Sequence, residues 1–178
     1  VNVHWTGTGA NLGPCTLTVR NGVALAGAGS GMAMNGAKAR VNFSGASPAS
    51  FDSALPTYIV LSNAGATNPA TAVDATLATF GGNAGSAANL AENFAIAAKV
   101  TDKADTAGLG LVTVKAANVY VNTGGSVALG LAAASASDTV NVQAGLYTDG
   151  AVTVNTAGIT VNSEAGVSGF SFLLGSVD

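Results

Sequence analysis

The sequence predicts a mainly β protein: an N-terminal antiparallel β-sandwich-like region followed by a stack of short coils that a helix caps. Two observations carry this prediction. Apolar residues alternate with Thr, Ser or Asn in many short runs, which is the two-residue period of a β-strand. Glycine-rich turns separate these runs at intervals of roughly 6–12 residues, a spacing typical of all-β architectures. Since only 6% of the residues are aromatic, the core must be built mainly from Val, Leu, Ile and Ala.

The composition excludes several functional classes. Charged residues make up 8% of the 178 residues, against roughly 25% in an average soluble domain, and the formal net charge is −3. The six Lys and Arg residues are spread singly, so they form no basic patch for a nucleic acid. A mean hydropathy of +0.44 excludes a disordered chain. No apolar run approaches the ~18 residues that cross a bilayer, so we predict no membrane span.

Cysteine usage and the first residues bear on where the protein works. Cys15 is the single cysteine and can form no internal disulfide. A low cysteine content fits either a reducing cytosol or an exported bacterial protein, and the scarcity of Lys and Glu favours export. The opening residues lack the charged start and apolar stretch of a signal peptide, and there is no initiator Met. We therefore expect a processed product or an excerpt of a longer protein, located outside the cell, at the cell surface or in a virion.

The first β-rich domain is predicted over residues 1–62. Residues 16–20 alternate, and Asn21-Gly22 follows them directly. This pair is a strong two-residue hairpin signal, which favours residues 23–25 as the return strand. Further strands are predicted at 40–43 and 57–61.

The next segment, residues 63–89, is predicted to be a linker or an extended loop, because Asn, Ala, Gly and Thr dominate there. A short helical turn within 70–80 is also compatible with the sequence, since Val73, Leu77 and Phe80 have helical spacing.

A second β-rich region is predicted over residues 90–178, and its beginning has two interpretations. A helix behind an N-cap at Ser86 or Asn89 would place apolar residues every four positions. A strand from Phe94 to Val100 would place alternate residues on one face. We favour the strand.

The last part of the chain, from about residue 125, repeats short units. An alanine-rich segment that starts at Ser126 is predicted to be an amphipathic helix with Val127 and Leu131 on one face. Strands of about three to five residues then alternate with glycine turns, which indicates a solenoid whose coils each bury a few apolar side chains. Asparagines that close such strands can hydrogen-bond to their equivalents in the next coil and form a ladder. The candidates for this ladder are Asn141, Asn155 and Asn162.

A helix and two repeated strands form a pattern with a known counterpart. The helix is followed by Ser-Asp-Thr-Val-Asn-Val-Gln-Ala-Gly-Leu-Tyr-Thr-Asp-Gly at 137–150 and by Thr-Val-Asn at 153–155 and 160–162. In this pattern residues 125–168 resemble the start of a right-handed parallel β-helix of the pectin-lyase-like type, as in bacterial surface and phage structural proteins. The resemblance implies that the helix caps the open end of the first coil. It also implies that coils continue beyond Asp178 or that neighbouring copies complete the stack.

Two glycine-rich segments, 7–13 and 27–31, are compared with phosphate-binding loops and interpreted as turns. In the first, the third glycine falls one place late for the dinucleotide fingerprint, and a β-prone run follows where a helix is needed. The second lacks the helix too, and its serine is not at the centre of a nucleophile elbow. We therefore predict no cofactor.

Few residues could carry catalysis or bind a metal. His4 and Cys15 are the only histidine and cysteine, too few for a triad or a zinc site. Acidic residues are sparse, and even the closest pair falls short of the dense oxygen ligands of a calcium loop. We predict no catalytic, cofactor-binding or metal-ligating residue. The closest acidic pairs are Asp102 with Asp105 and Asp138 with Asp149.

These features favour a structural role. We predict a structural or assembly module of a secreted cell-surface protein (surface layer, filament or adhesin) or of a virion appendage, with no catalysis of its own. Its partners would be copies of itself, other subunits of a larger assembly, and glycans. One alternative is a carbohydrate- or ice-binding module, which would expose a row of polar residues such as Thr139, Thr153 and Thr160. Another is a fragment of a β-helix polysaccharide-degrading enzyme, but the matched segment contains no Lys or Arg to serve as the base of a lyase.

Overall fold

The computed structural model is a mainly β protein built as a parallel β-solenoid of about six turns. Each coil of the chain places its short strands beside those of the previous coil, so that the sheets run along the solenoid axis. The structure describes residues 4–5, 15–20, 22–34, 39–45, 47–62 and 72–174.

The first part of the solenoid consists of very short strands and one helix. The helix α1 (Leu90–Ala97) lies between the tenth and eleventh strands. The strands are β1 (His4–Trp5), β2 (Cys15–Arg20), β3 (Ala24–Leu25), β4 (Met32–Met34), β5 (Ala39–Ser44), β6 (Ser50–Phe51), β7 (Ile59–Leu61), β8 (Val73–Asp74), β9 (Thr79–Phe80), β10 (Asn83–Ala84), β11 (Val100–Thr101) and β12 (Val112–Thr113).

These strands form three sheets that the chain visits in turn. The first sheet has the order β1-β4-β7-β11, the second β2-β5-β8-β12, and the third β3-β6-β9-β10. Every neighbouring pair is parallel except the β9–β10 hairpin. Met32 of β4, for example, lies beside Ile59 of β7, which in turn lies beside Val100 of β11. Each coil therefore stacks directly on the one before it.

This arrangement does not support the predicted N-terminal antiparallel β-sandwich. The two strands of the predicted hairpin lie in different sheets: β2 pairs with β5 and β3 pairs with β6, both in parallel. Gly22, whose φ is +73°, lies at the corner between these sheets. A glycine in this conformation suits a hairpin turn and a solenoid corner equally. Strands of a hairpin and strands of a solenoid also show the same alternation of apolar residues. Local sequence therefore does not decide which partner each strand takes.

The segment predicted to be a linker, residues 63–89, contributes to the sheets where the structure describes it. Residues 72–89 contain β8 and β9, which pair with strands of neighbouring coils, whereas residues 63–71 lie outside the described residues. Ala75 and Ala78, between the two strands, are fully buried. The described part of this segment is therefore built into the solenoid core.

The helical turn predicted within residues 70–80 is wrong for the part that the structure describes. Val73 and Phe80 are both buried, but they reach the core from two strands of different sheets. Leu77 lies at the corner between those strands and is 55% exposed. A strand, a corner and a second strand thus bury Val73 and Phe80 without a helix and leave Leu77 largely exposed to solvent.

The interpretation of residues from Phe94 as a strand is also wrong, because Leu90–Ala97 form helix α1. The Asn89 side chain accepts a hydrogen bond from the Glu92 backbone N–H (2.9 Å), and the Glu92 carboxylate accepts one from the Asn89 N–H (2.8 Å). This capping box satisfies two N–H groups at the helix start and favours the helix over a strand. Phe94 then packs edge-on against Tyr120, with ring centroids 5.7 Å apart.

Aromatic rings lie at the centre of the first coils, although such residues are scarce. Phe51 and Phe80 are register partners in the third sheet, and their rings stack at 5.0 Å. Phe43 meets Phe51 edge-on at 5.9 Å, and Tyr58 lies 5.2 Å from Phe80. The stacking of coils therefore also stacks their largest side chains.

The remainder of the chain confirms the predicted stack of coils. Its two sheets have the orders β13-β14-β16 and β15-β17, and every pair is parallel. Val119, Val140 and Val161 occupy equivalent positions in successive coils, and the first two are buried. The elements are β13 (Asn118–Val121), α2 (Val127–Ala133), β14 (Thr139–Val142), β15 (Gly145–Val154), β16 (Thr160–Ser163) and β17 (Val167–Leu174).

Helix α2 confirms the predicted amphipathic segment. Its N-cap is Ser126, and Val127 and Leu131 are buried on one face. Gly130 allows a close approach to β13, since a side chain there would collide with Val121. The helix packs on β13, β14 and β15 and covers the start of this second stack. It does not open the solenoid, however, because the coils of β1 to β12 precede it.

Asp149 of β15 holds α2 in place. Its carboxylate accepts hydrogen bonds from the N–H groups of Val127 (3.0 Å) and Ala128 (3.2 Å) and from the Ser126 hydroxyl (2.5 Å). Both N–H groups are among those that a helix leaves unpaired at its start. Burial acts to raise the pKa of Asp149, but these hydrogen bonds outweigh it and hold the pKa below its ordinary value of 3.8.

We expect Asp149→Ala to lower the free energy of unfolding by about 2 kcal/mol at neutral pH, because two helix N–H groups lose a charged acceptor. Since the pKa of Asp149 is depressed in the folded state, its contribution is present above the ordinary pKa and is lost as the pH falls through the folded value. Urea unfolding of both proteins should therefore show a smaller difference in acid. Thr148→Ala, at an exposed neighbour, is the control, and an equal loss there would contradict the prediction.

Candidate functional site

A ladder of asparagine side chains runs along the coils of the second stack. Asn141 donates from Nδ2 to Oδ1 of Asn118 (3.0 Å), and Asn162 donates in the same way to Asn141 (3.0 Å). Asn141 is only 3% exposed and also donates to the Val119 carbonyl (3.4 Å). Asn141 and Asn162 are thus confirmed as ladder members. Asn155 is exposed beyond the end of β15 and takes no part.

Asn118 is a ladder member that the sequence prediction missed. The signal was present, because Asn118-Val-Tyr-Val, Thr139-Val-Asn-Val and Thr160-Val-Asn-Ser align when the coils are superposed. The backbone register partner of Asn141 in β13 is Tyr120, not Asn118. The side chain of Asn141 therefore reaches Asn118, two residues before that partner, to continue the ladder into β13.

The ladder ends at an open coil. Oδ1 of Asn162 accepts no hydrogen bond from the described residues. The strands of the same coil, β16 and β17, are the outermost of their sheets and pair on one side only. No described strand pairs with their outer edges, which present backbone N–H and C=O groups. Strand β17 contains no charge and no Pro, the usual protections of an exposed edge.

The apolar interior of this last coil is open as well. Val161 and Phe170 are only partly buried, whereas Val119 and Val140, the equivalents of Val161 in earlier coils, are buried. Phe172 is 43% exposed and Leu174 is 86% exposed. Phe170 packs edge-on between Tyr147 (5.9 Å) and Phe172 (5.2 Å), so the row of rings ends at the surface. Unpaired strand edges beside exposed apolar side chains are a surface on which a further strand can pair.

The acidic pair of Asp102 and Asp105 lies in the loop between β11 and β12. Asp102 is 6% exposed, and its two oxygens accept hydrogen bonds from the N–H groups of Ala104 (2.8 Å) and Val112 (2.9 Å). Burial raises the pKa of Asp102 to about 7 despite these hydrogen bonds, and burial also raises the pKa of Asp105. A cavity of about 20 Å³ beside the pair has room for one water molecule. This pair therefore orders a loop, and the space next to it is too small for a substrate.

The second acidic pair, Asp138 and Asp149, does not form one site, because each carboxylate has a different role. Asp149 holds the start of α2, whereas Asp138 accepts a hydrogen bond from the Ser135 N–H (2.8 Å) and lines a groove. The groove has a volume of about 500 Å³, within the range of ligand-binding pockets. Its polar lining residues are Asp74, Thr76, Thr113, Asn118, Ser135 and Asp138.

This groove continues into a polar row along the second sheet, with which it shares two residues. Thr18, Asn42, Asp74 and Thr113 are register partners in β2, β5, β8 and β12, and the first three are exposed. Successive members are separated by the strand spacing of ~4.8 Å. The row therefore offers hydroxyl, amide and carboxylate groups at regular intervals along the axis.

The three threonines proposed for a single exposed row do not form one. Thr139 and Thr160 are register partners in β14 and β16. Thr153 belongs to β15 and lies beside Leu173, in the other sheet of the second stack. All three threonines alternate with apolar residues along their strands, so the sequence pattern does not distinguish them. Only the strand pairing shows that Thr153 lies in a different sheet.

The remaining candidate residues lie in separate parts of the chain. His4 and Cys15 fall in β1 and β2, which belong to different sheets. The glycine-rich segment 7–13 lies outside the described residues, and segment 27–31 forms the connection between β3 and β4. In the part of the chain that the structure describes, no three His, Cys, Asp or Glu residues gather to hold a metal ion. Within that same part, no helix is both long and apolar enough to cross a membrane.

We expect Asn141→Ala to lower the free energy of unfolding by about 2–3 kcal/mol, because it removes two donated bonds and leaves the Asn162 amide without its acceptor. Asn155→Ala is the matched control and should change stability by less than about 0.5 kcal/mol. Chemical denaturation measured by circular dichroism compares the two. Equal effects of the two substitutions would show that the ladder does not stabilise the fold.

The raised pKa of Asp102 predicts a pH dependence of stability. A carboxyl group whose folded pKa is raised contributes stability that is present below its ordinary pKa of 3.8 and is lost as the pH rises through about 7. Relative to Asp102→Asn, we expect the free energy of unfolding of the wild type to fall by about 4 kcal/mol across this interval, since each pKa unit corresponds to about 1.4 kcal/mol. Asp52→Asn, on an exposed turn, should retain the wild-type slope. Parallel curves for wild type and Asp102→Asn would refute the prediction.

No protein-family model matches the chain, and no curated protein and no solved structure is significantly similar to it.

Proposed function

We propose that this chain is a structural and assembly module of a secreted cell-surface protein (a surface layer, filament or adhesin) or of a virion appendage, with no catalysis of its own. The observation that carries the proposal is the open last coil. Its strand edges, its ladder residue Asn162 and its apolar residues Phe172 and Leu174 all lack a covering partner among the described residues. A coil of this kind is complete only when another strand lies on it.

The use of charge supports the same proposal. Every carboxylate that the structure describes accepts at least one hydrogen bond from a backbone N–H, at a turn, a loop or a helix start. Glu164, for example, accepts from the Ala144 N–H (3.0 Å) and so ties one coil to the previous one. The carboxylates thus stabilise turns, loops and helix starts of the scaffold, as expected of a structural module.

A carbohydrate-binding module is the second candidate, and the polar groove favours it. Sugar hydroxyls are both donors and acceptors, and the groove combines carboxylates, hydroxyls and an amide over about 500 Å³. In the described part of the chain, Asp74 and Asp138 each have one oxygen that accepts a hydrogen bond and one that accepts none, and the second oxygen is available to a ligand. The ice-binding alternative has less support, because Thr153 lies apart from Thr139 and Thr160.

Light scattering coupled to size exclusion tests the assembly function. We expect the mass in solution to rise above the 17.1 kDa of one chain as concentration increases. Leu174→Glu, at a position 86% exposed on the last coil, should return the protein to one chain per particle. Leu77→Glu is the matched control, since Leu77 is 55% exposed at the corner between β8 and β9, away from the last coil, and should leave the mass unchanged. A single-chain mass at every concentration, together with glycan binding that Asp138→Ala abolishes, would favour the second candidate.

A further inference from the structure

The loop between β11 and β12, residues 102–111, contributes side chains to the cores of both stacks. Leu109 of this loop is buried in the core of the first stack. Ala104 and Leu111 are buried in the core of the second stack, together with valines of β13 and β14. The loop therefore connects the two stacks through packed side chains as well as through the chain itself.

The carboxyl group of Asp102 closes this loop. Its Oδ1 accepts a hydrogen bond from the Ala104 N–H (2.8 Å) at the start of the loop, and its Oδ2 accepts one from the Val112 N–H (2.9 Å) just beyond the end. The Lys103 N–H donates to the Gly110 carbonyl (2.9 Å) between these two points. One side chain thus joins the beginning of the loop to its end.

The surroundings of this carboxyl group favour its neutral form. Asp102 is 6% exposed, and the cavity of about 20 Å³ beside it has room for only one water molecule. A carboxylate that is buried in this way loses most of its hydration. The two N–H donors favour the charged form, but burial outweighs them, and the pKa of Asp102 is raised to about 7.

The charged and titratable groups near Asp102 do not reverse this preference. Asp105 raises the pKa of Asp102 further, and the attraction of the Lys103 ammonium, which lowers it, is the smallest of the contributions. The cavity residues of α1, β11 and β12 are apolar, and from β13 the cavity is lined by Tyr120, whose pKa burial raises to about 12. Lys99, between α1 and β11, donates from Nζ to two backbone carbonyls of the first stack.

We propose that the 102–111 loop is a pH-sensitive link between the two stacks, closed while Asp102 carries its proton and opened when Asp102 ionises. The inference does not depend on the proposed assembly or carbohydrate-binding function. On opening, the proton passes to water, the carboxylate becomes solvated, and the hydrogen bonds from the Ala104 and Val112 N–H groups break. Ala104 and Leu111 then leave the core of the second stack, so the two stacks are joined most firmly in acid.

The direction and range of the response follow from the two pKa values of Asp102. In the open loop the side chain is exposed, and its pKa returns to the ordinary value of 3.8, against about 7 in the closed loop. Between these values the open form binds fewer protons than the closed form, so each pH unit makes opening about tenfold easier. Above the closed-loop value both forms are ionised, and opening no longer changes with pH.

Native-state hydrogen exchange measures this opening directly. After correction for the intrinsic exchange rate, protection of the Ala104 and Val112 N–H groups should fall about a hundredfold from pH 5 to pH 8. It should depend little on low concentrations of urea, as expected of a local opening. The Thr139 N–H, which donates to the Ala117 carbonyl in the second stack, is the internal control and should show the urea dependence of global unfolding. Unchanged protection of Val112 between the two pH values, or exchange of Val112 only together with Thr139, would overturn the proposal.

Two substitutions assign the response to one carboxyl group. Asp102→Asn retains the size of the side chain but cannot ionise, so protection of the Val112 N–H should be the same at pH 5 and pH 8. Asp105→Asn should keep the response but end it at a lower pH, because Asp105 raises the pKa of Asp102. A response that persists in Asp102→Asn, or that disappears in Asp105→Asn, would contradict the proposal. The wild-type series decides alone if a variant fails to fold in circular dichroism.

Thiol labelling tests whether the opening reaches the second core. In a Cys15→Ser background, Ala104→Cys and Ala133→Cys each place a thiol in that core, at positions that are 6% and 4% exposed. After correction for the thiolate fraction, Ala104→Cys should react at least tenfold faster than Ala133→Cys at pH 8, because only the first thiol is uncovered by the loop. Equal rates would show that the second core opens only as a whole, which would refute the link.

Discussion

Parallel pairing between successive coils is the interaction on which the rest of this structure depends. A strand such as β14 finds its hydrogen-bond partners in β13 and β16, one coil away on either side, and not in its neighbours in sequence. A single coil therefore cannot satisfy its own backbone, and stability accumulates only as coils are added. The same condition aligns equivalent side chains, as it does Val119, Val140 and Val161, and it leaves the outer coil of any such stack unsatisfied.

Polar side chains repair the places where the chain departs from this ladder. Asp149 supplies the acceptor for the first N–H groups of α2, and Asp102 does so for the loop that interrupts the coil between β11 and β12. The asparagine ladder acts where the backbone ladder is intact, and it adds side-chain hydrogen bonds parallel to the backbone ones. Most of the few polar groups in the interior thus have partners within the scaffold. The groove lined by Asp74 and Asp138 differs, because there each carboxylate retains an oxygen that no described residue bonds.

The sequence allowed the local parts of this architecture to be predicted and left the pairing open. Short alternating strands, the helix at Ser126 and two ladder asparagines follow from patterns within a few residues. The partners of β2 and β3 do not, because a glycine corner and a hairpin turn look alike until distant strands are known. The strand favoured at Phe94 failed for a local reason: the Asn89–Glu92 capping box was present in the sequence and outweighs period-two alternation. The burial of Asp102 is a tertiary property, and nothing in its neighbours signals it.

The coils of the two stacks differ in length. In the first stack, bonded side chains of successive coils, such as Ser30 and Thr57, are separated by 27 residues, whereas Asn141 and Asn162 in the second stack are separated by 21. The first and last coils therefore differ in perimeter, and the first is surrounded by three sheets while the last contributes to two. Helix α2 packs on β13, β14 and β15, the strands with which the narrower stack begins. The helix therefore lies where the cross-section changes, and Asp149 fixes it there by accepting hydrogen bonds from its first N–H groups.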